Sequence, residues 1–348
     1  HLIRLFMMAI DILERGEIRT KRVKEQELLL KIRNGGFQKE DKTFAPEFYD
    51  LLADYEKRLN QAARDSVLPD SPDMKRVEEF VEYVRCRMER DIQKEIREKL
   101  REIEEKEQVF ILLAVESGSR AWGIASPDSD YDVRFIYVRK PEDYLRLDPV
   151  KDVIEWQLDE VLDINGWDLK KALIQFQRGN AALFEWAQSP IVYQKSLSWD
   201  KVYEAAKQYF SKKAAVCHYY GTANKTYFQE LQEKYVKYKK YFYALRPLLA
   251  ARYIEENGES APVLFSDLMK QELPRALREE IETVLAVKQA LGEGERRLQN
   301  AAVRQFIEEE LRRQKQLADQ MKDDRNNNWE ALNRVFLEFL KEEQRQAG

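Results

Sequence analysis

Along the chain the spacing of apolar positions changes character twice. Residues 1–14, HLIRLFMMAIDILE, carry apolar side chains at helical intervals, and Gly16 follows as a stop. KEQELLLKIRNGG repeats that pattern and ends at Gly35-Gly36, and a third helix is expected over roughly 45–65. The Pro-Asp-Ser-Pro-Asp turn at 69–73 breaks the run, and 74–107 reads as one or two highly charged helices. From 109 the helical period gives way to short continuous apolar runs. VFILLAVES and VRFIYV have the make-up of buried strands, and VIEWQL and EVLDIN (153–165) predict a third and a fourth. Helical spacing then returns over roughly 167–178, 181–188, 200–233, 236–256, 276–291, 301–321 and 328–344. The pattern predicts an α+β protein, with one small mixed sheet of about four strands embedded in helices.

The chain starts inside its first helix and without a methionine, as a piece of a longer protein would. A weak internal repeat lays RLFMMAIDILERGEI (4–18) on RPLLAARYIEENGES (246–260) without gaps, Arg4 falling on Arg246 and Gly16 on Gly258. Two amphipathic helices with glycine caps account for that match equally well.

Composition narrows the function classes. With 348 residues, 44% hydrophobic and 35% charged, the chain has the make-up of a water-soluble globular protein. It has no uncharged apolar run of membrane-spanning length and no signal-peptide pattern. Two cysteines far apart, Cys86 and Cys217, make no disulfide framework, and a reducing cytoplasm is the expected setting. A net charge of −4 argues against a general nucleic-acid coat while leaving room for a local basic patch. The only histidines are His1 and His218. Histidine-rich zinc sites and histidine-based triads are therefore not expected, and a metal here calls for oxygen ligands, as magnesium, manganese or calcium does.

The stretch ESGSRAWGIASPDSDYDVRFIYV (116–138) concentrates the chemistry. In a strand, side chains at i and i+2 share a face, so Asp130 and Asp132 present two carboxylates side by side at the mouth of VRFIYV. Alone they repel, and one takes up a proton. A divalent cation between them removes that penalty, which is how phosphoryl-transfer sites use such pairs. Gly118 and Ser119 supply the other half. A Gly-Ser turn after a strand lets backbone N–H groups approach a triphosphate, with the hydroxyl as a further donor. Ten residues separate Ser119 from Asp130, enough to leave one strand, make a helical turn and return on its neighbour.

Rival motifs fail on particular letters. Asp128, Asp130 and Asp132 imitate an EF-hand opening, but Val133 stands where the loop needs Gly and Arg139 where it needs Glu. No Gly-Lys-Ser/Thr follows the glycines, so there is no Walker A loop. Ser117 and Ser119 lack the G-x-S-x-G setting and a local histidine. A solvated Asp-rich turn opening a strand is the plain structural alternative. A third carboxylate is expected from a neighbouring strand. In DEVLDINGWDL, Asp159, Val161 and Asp163 share one face and Leu162 and Ile164 the other. Asp163 is preferred over Asp159 because its surroundings are more apolar, where an unliganded charge is costly. Asp168 is expected to cap the following helix.

A Gly-Ser pair, a ten-residue gap and D-x-D on a strand resemble the signature of the DNA polymerase β-like nucleotidyltransferase superfamily. With LDINGWDLKKAL, LFEWAQSPIVY and KKYFYALRPLLAARYI in order, residues from about 90 to 345 resemble its RlaP/YcgL-type branch, associated with RNA repair. Residues 1–87, through HLIRLFMMAIDILERGEI, LLLKIRNG and SVLPDSPD, resemble the helical tail of a related nucleotidyltransferase, but hold neither Gly-Ser nor D-x-D. The resemblance implies a helical segment at 1–87, a catalytic domain at 88–198 and a C-terminal helical domain at 199–348. It implies transfer of a nucleoside monophosphate from an NTP to an acceptor hydroxyl, an RNA end by family association, with Mg²⁺ or Mn²⁺. Gly118 and Ser119 would then hold the triphosphate, Asp130 and Asp132 the metals, and Asp163 would complete the metal site and activate the acceptor.

EKYVKYKKYFYALRPLLAARY mixes Lys234, Lys237, Lys239, Lys240, Arg246 and Arg252 with tyrosines, as phosphate and base contacts do and as a solvated helix with a tyrosine-lined face also does. With the resemblance, Lys239, Lys240 and Arg246 become candidate triphosphate or acceptor contacts. Arg120 would join them or pair with Asp128. His218 is expected to be a packed helix residue, and Trp122, Trp167 and Trp186 packing residues. Two other function classes stay open: a non-catalytic nucleotide or RNA sensor on the same fold, and a transferase acting on a protein or small molecule. No membrane partner is expected, and oligomers are possible.

Overall fold

A computed structural model describes residues 1–346 except 40, 42, 70, 158–160 and 291–293, with 82, 85–90 and 342–346 described as backbone only. The chain forms two compact units, His1–Met88 and Glu89–Gly348.

In the first unit α1 (Leu2–Arg15), α2 (Gln26–Arg33) and α3 (Pro46–Arg64) follow the predicted pattern. Ile3, Met7 and Ile10, on one face of α1, are buried with Tyr55 and Ala62 of α3. Gly16 ends α1 in the left-handed conformation (φ 67°), its N–H bonded to the Ile12 carbonyl at 2.9 Å. The charged stretch after the proline turn is a single helix, α4 (Met74–Glu107), whose residues from 89 onward belong to the second unit.

The second unit holds a five-stranded sheet: β1 (Val109–Ser117), β2 (Tyr131–Arg139), β3 (Val153–Gln157), β4 (Leu162–Asp168) and β5 (Val192–Lys195). The spatial order is β3-β4-β2-β1-β5, with β2 and β4 parallel and the other neighbours antiparallel. β1 is apolar from Val109 to Val115 because both faces of the sheet are covered. Ile96, Leu100 and Ile103 of α4 pack with Ile111, Ala114, Val133, Phe135 and Ile164. On the other face Leu113, Val115, Ile136 and Val138 pack against α7 (Leu169–Gln177), α8 (Ala181–Ala187) and α9 (Trp199–Ala206). Phe135 stands opposite Gly166 in the parallel pair, where a Cβ would lie 2.2 Å from the phenylalanine ring. The glycine is what allows β2 and β4 to pair here. Two short helices, α5 (Gly118–Ala121) and α6 (Pro141–Tyr144), follow β1 and β2.

The rest is helical: α10 (Lys212–Glu230), α11 (Tyr238–Asn257), α12 (Phe265–Leu268), α13 (Arg275–Ala290), α14 (Ala301–Gln320) and α15 (Glu330–Gln346). The helix expected over 200–233 is broken at 207–211. Ser211 is extended there, and its hydroxyl caps α10 by accepting the Ala214 N–H at 3.0 Å. Two features escape the apolar pattern, β5 and a two-stranded ladder of β6 (Tyr235–Lys237) with β7 (Arg296–Leu298). Each is too short for alternation to register. The boundary expected at 198/199 falls between β5 and α9, inside the second unit. No described helix is long and apolar enough to cross a membrane.

Candidate functional site

β1 and β2 run antiparallel, and their register sets Ser117 opposite Asp132 at the end of β1. The parallel register of β2 with β4 sets Asp132 opposite Asp163. The middle strand thus carries Asp132 against the Gly-Ser turn on one side and against Asp163 on the other. Gly118 has φ +65°, and a Cβ there would lie 2.3 Å from Asp132 Oδ2. The carboxylate is seated against bare backbone, which no residue with a side chain at 118 permits.

Ser119 and Ala121 are buried in α5. Arg120 folds over the loop before β2. Its Nε donates to the Asp130 carbonyl at 3.0 Å and Nη2 to the Ser129 carbonyl at 2.6 Å, with the guanidinium 3.6 Å from the centroid of the Tyr131 ring. Arg120 thereby fixes the backbone that delivers Asp130, which is exposed one residue before β2. The same loop is tied to α13, where Ser126 Oγ donates to the Lys288 carbonyl at 3.0 Å and the Lys288 ammonium donates to the Ile124 carbonyl.

The three-carboxylate cluster expected here is not drawn together: among the described residues no three His, Cys, Asp or Glu side chains are grouped closely enough to hold a metal ion. Arg134, two positions beyond Asp132 on the same face of β2, lies between the two aspartates instead. Its Nη2 donates to Asp163 Oδ2 at 2.8 Å and to Asp132 Oδ1 at 3.2 Å. Asp163 is also less enclosed than expected, with 45% of its side chain exposed. Its strand neighbours Leu162 and Ile164 turn to the opposite, buried face. Asp159, the rejected alternative, lies outside the described residues. Asp168 caps α7, accepting the Lys170 N–H at 2.8 Å.

Sequence reasoning passed over Glu116. It is fully buried on β1, and its Oε1 accepts the Asp132 N–H at 2.7 Å while the Tyr193 hydroxyl from β5 donates to Oε2. Burial pushes its carboxyl from 4.5 up to about 7; the two hydrogen bonds pull it down, and the charge of Asp132 pushes it further up. The folded protein therefore holds a proton that the unfolded chain releases at lower pH. This contribution to stability is complete below about 4.5 and is lost as pH rises through about 7. In the presence of a chelator, wild-type stability is expected to fall by about 2 kcal/mol from this group between roughly pH 5.5 and pH 8. Glu116→Gln, which keeps both hydrogen bonds by donating to Tyr193, should remove that slope. Urea melts of both proteins at the two pH values measure it, and equal slopes would refute the assignment.

The basic residues fall in three different settings. Lys240 bonds Glu230 at 2.8 Å and lies 5.7 Å from the Tyr243 ring. Lys239 is half-buried in the first turn of α11, on the face that one turn later presents Tyr243 to Trp122, ring centroids 5.5 Å apart. Arg246, expected to contact the triphosphate or the acceptor, is 1% exposed and ion-paired with Glu185. A buried guanidinium spent on a carboxylate has no surface to offer a triphosphate. His218, expected to be packed, is exposed on α10 beside Tyr219. Trp167 and Trp186 pack on each other at 4.9 Å.

Residues 92–338 match the RNA repair pathway DNA polymerase beta family, RlaP. The chain belongs to this family. Every site residue described above lies within the RlaP match, whereas residues 1–91 precede it. An uncharacterized protein YcgL from Bacillus subtilis (strain 168) is 39% identical over 253 residues, 72% of this chain and 97% of that protein. A nucleotidyltransferase-like protein from Exiguobacterium sibiricum 255-15, known from a crystal structure, aligns at 12% identity over 64% of this chain and 74% of its own, with a TM-score of 0.24. The RlaP assignment makes the chain a polymerase β-like nucleotidyltransferase by family.

Proposed function

We propose that the chain transfers a nucleoside monophosphate from an NTP to the hydroxyl of an RNA end, using Mg²⁺ or Mn²⁺. The observation that carries this reading is the in-register pair Asp132 and Asp163, with Gly118 backbone seated against Asp132. Two carboxylates already sharing one guanidinium make a set of hard oxygen donors suited to a small divalent cation. Asp132 and Asp163 would hold it, with Asp130, exposed just before β2, as the third ligand once its carboxylate turns to them, and when bound it would neutralise triphosphate charge.

The chain's own residues do the rest. Gly118 and Ser119 receive the triphosphate at the end of β1, and Arg120 keeps the Asp130 segment in place beneath it. Lys239 and Lys240 offer positive charge from the start of α11. Asp163, the more exposed of the facing pair, takes the proton from the acceptor hydroxyl. The acceptor oxygen bonds to the α-phosphorus while the bond from that phosphorus to the bridging oxygen breaks, and pyrophosphate leaves in line. RNA as acceptor rests on the family's description as an RNA repair pathway polymerase.

The test offers NTP labelled at the α-phosphate with RNA, protein and small alcohols in one series. Label is expected on RNA, only with divalent metal, and not with Asp130→Asn. Label on protein or a small alcohol would overturn the RNA acceptor, and binding of NTP without its consumption would point to a sensor.

A further inference from the structure

Arg134 neither binds the metal nor activates the acceptor in this scheme, yet its side chain is only 19% exposed and, among the described residues, it bonds to Asp132, Val133 and Asp163 at the site. Nη2 bridges the two aspartate carboxylates, and Nη1 donates to the carbonyls of Val133 at 3.0 Å and Asp163 at 3.3 Å. The sequence Asp130-Tyr131-Asp132-Val133-Arg134 sends alternate side chains to one face, so the cation is built into the strand that carries the acids. A planar fork with several donors suits two carboxylates from adjacent strands as no single-point ammonium does.

We propose that Arg134 is an internal counter-ion that competes with the divalent metal for Asp132 and Asp163, and that its release from them makes it a donor to the substrate's phosphates. This rests on the nucleotidyl-transfer reading. One oxygen of each aspartate, Oδ1 of Asp132 and Oδ2 of Asp163, is engaged by the same Nη2, so a cation bridging the pair must displace or share that atom. Until then the guanidinium offsets the repulsion between two facing acids. After it, the same group stands within a side chain's reach of the spot where negative phosphates arrive with the metal. Metal without nucleotide therefore binds at a disadvantage, and metal with nucleotide does not, which makes loading of the two cooperative.

The test measures binding, not turnover. Mn²⁺ alone is titrated by electron paramagnetic resonance into the full chain, its Arg134→Gln and Arg134→Lys variants, and Asp132→Asn as a control, with thermal melts confirming that each is folded. Arg134→Gln should bind Mn²⁺ about tenfold more tightly than wild type, because its competitor is gone. Arg134→Lys, which keeps the charge but loses the fork, should fall between, and remains informative if the glutamine variant does not fold. With a non-hydrolysable NTP present, the order should reverse, wild type binding Mn²⁺ and nucleotide most tightly. Mn²⁺ affinity in Arg134→Gln equal to or below that of wild type would overturn the proposal. Mn²⁺ binding that Asp132→Asn leaves unchanged would overturn both the proposal and the metal role of Asp132. Displacement as expected, but with no nucleotide transferred to any acceptor, would leave the counter-ion standing and remove the enzymatic reading alone.

Discussion

If Asp132 holds the metal as proposed, Asp132→Asn is expected to lower nucleotidyl transfer by at least about a thousandfold, since losing a charged metal ligand removes several kcal/mol of transition-state stabilisation. The residue stands where the buried acid, the Gly-Ser turn and the bridging guanidinium meet. Its backbone N–H is held by Glu116, one carboxylate oxygen lies against Gly118, and the other accepts from the guanidinium that also binds Asp163. Asparagine preserves the size and one oxygen but removes the charge, and its amide can turn an N–H toward Arg134. The fold should be kept, because the side chain is a third exposed and packs against no core. Gly118→Ala provides an independent approach to the same atoms. Its Cβ would meet Asp132 Oδ2 at 2.3 Å and strain a positive φ, moving a carboxylate whose charge is intact. Transfer rates for both variants, with circular dichroism to confirm folding, decide the matter. Asp132→Asn retaining a tenth or more of wild-type transfer would end the assignment of that residue as a metal ligand.

Much of this site was legible in the letters because strand periodicity is a short-range rule. D-x-D at a strand mouth fixes a shared face, and Leu162 and Ile164 on one side of Asp163 fix which way it turns, without any knowledge of strand order. What the letters do not carry is the register between strands. That Asp132 faces Asp163, and that Arg134 reaches both, depends on β2 and β4 being parallel neighbours, a property of the whole sheet. Arg134 had a signal in hindsight, since it extends the alternation of Asp130 and Asp132 by one more position. Glu116 had a better one: it is the one charged residue in VFILLAVES, whose other positions are apolar apart from the terminal serine. A charge in a strand covered on both faces must find partners, and Tyr193 lies on β5, a strand of four residues too short to be foreseen. Arg246 misled for a different reason. Its neighbours Lys239 and Lys240 lie near the start of α11, but Ala244 to Ala251 are buried without interruption, so the basic run crosses from the surface into the core. Helical spacing reports which residues share a face, and a helix covered all round has no solvent face to read.

Arg246→Ala should be the most destabilising single change in the second unit among those considered, costing about 3–5 kcal/mol, because it strands a buried charge. The guanidinium pairs with Glu185 of α8, donates to the Val263 carbonyl at 3.4 Å, and lies 4.8 Å from the Trp122 ring and 5.8 Å from Tyr219. Tyr219 donates its hydroxyl to the same Glu185 oxygen at 2.5 Å. Removing the arginine leaves the carboxylate, only 16% exposed, with a single neutral donor, and opens a cavity between two aromatic rings. Arg246→Met combined with Glu185→Gln fills that space and removes the orphaned charge, so it should recover most of the loss. The consequence reaches the Gly-Ser turn, because Trp122 immediately follows α5 and its carbonyl accepts the Phe265 N–H at 2.9 Å. A residue with no surface to touch substrate would thus lower transfer by loosening the segment that carries Gly118 and Ser119, and the double variant would restore rate and stability together. Urea melts and transfer rates on the same preparations separate the possibilities. An Arg246→Ala protein within about 1 kcal/mol of wild type would mean that Glu185 finds another partner or takes up a proton. Lost transfer at full stability, unrecovered in the double variant, would return Arg246 to the phosphates.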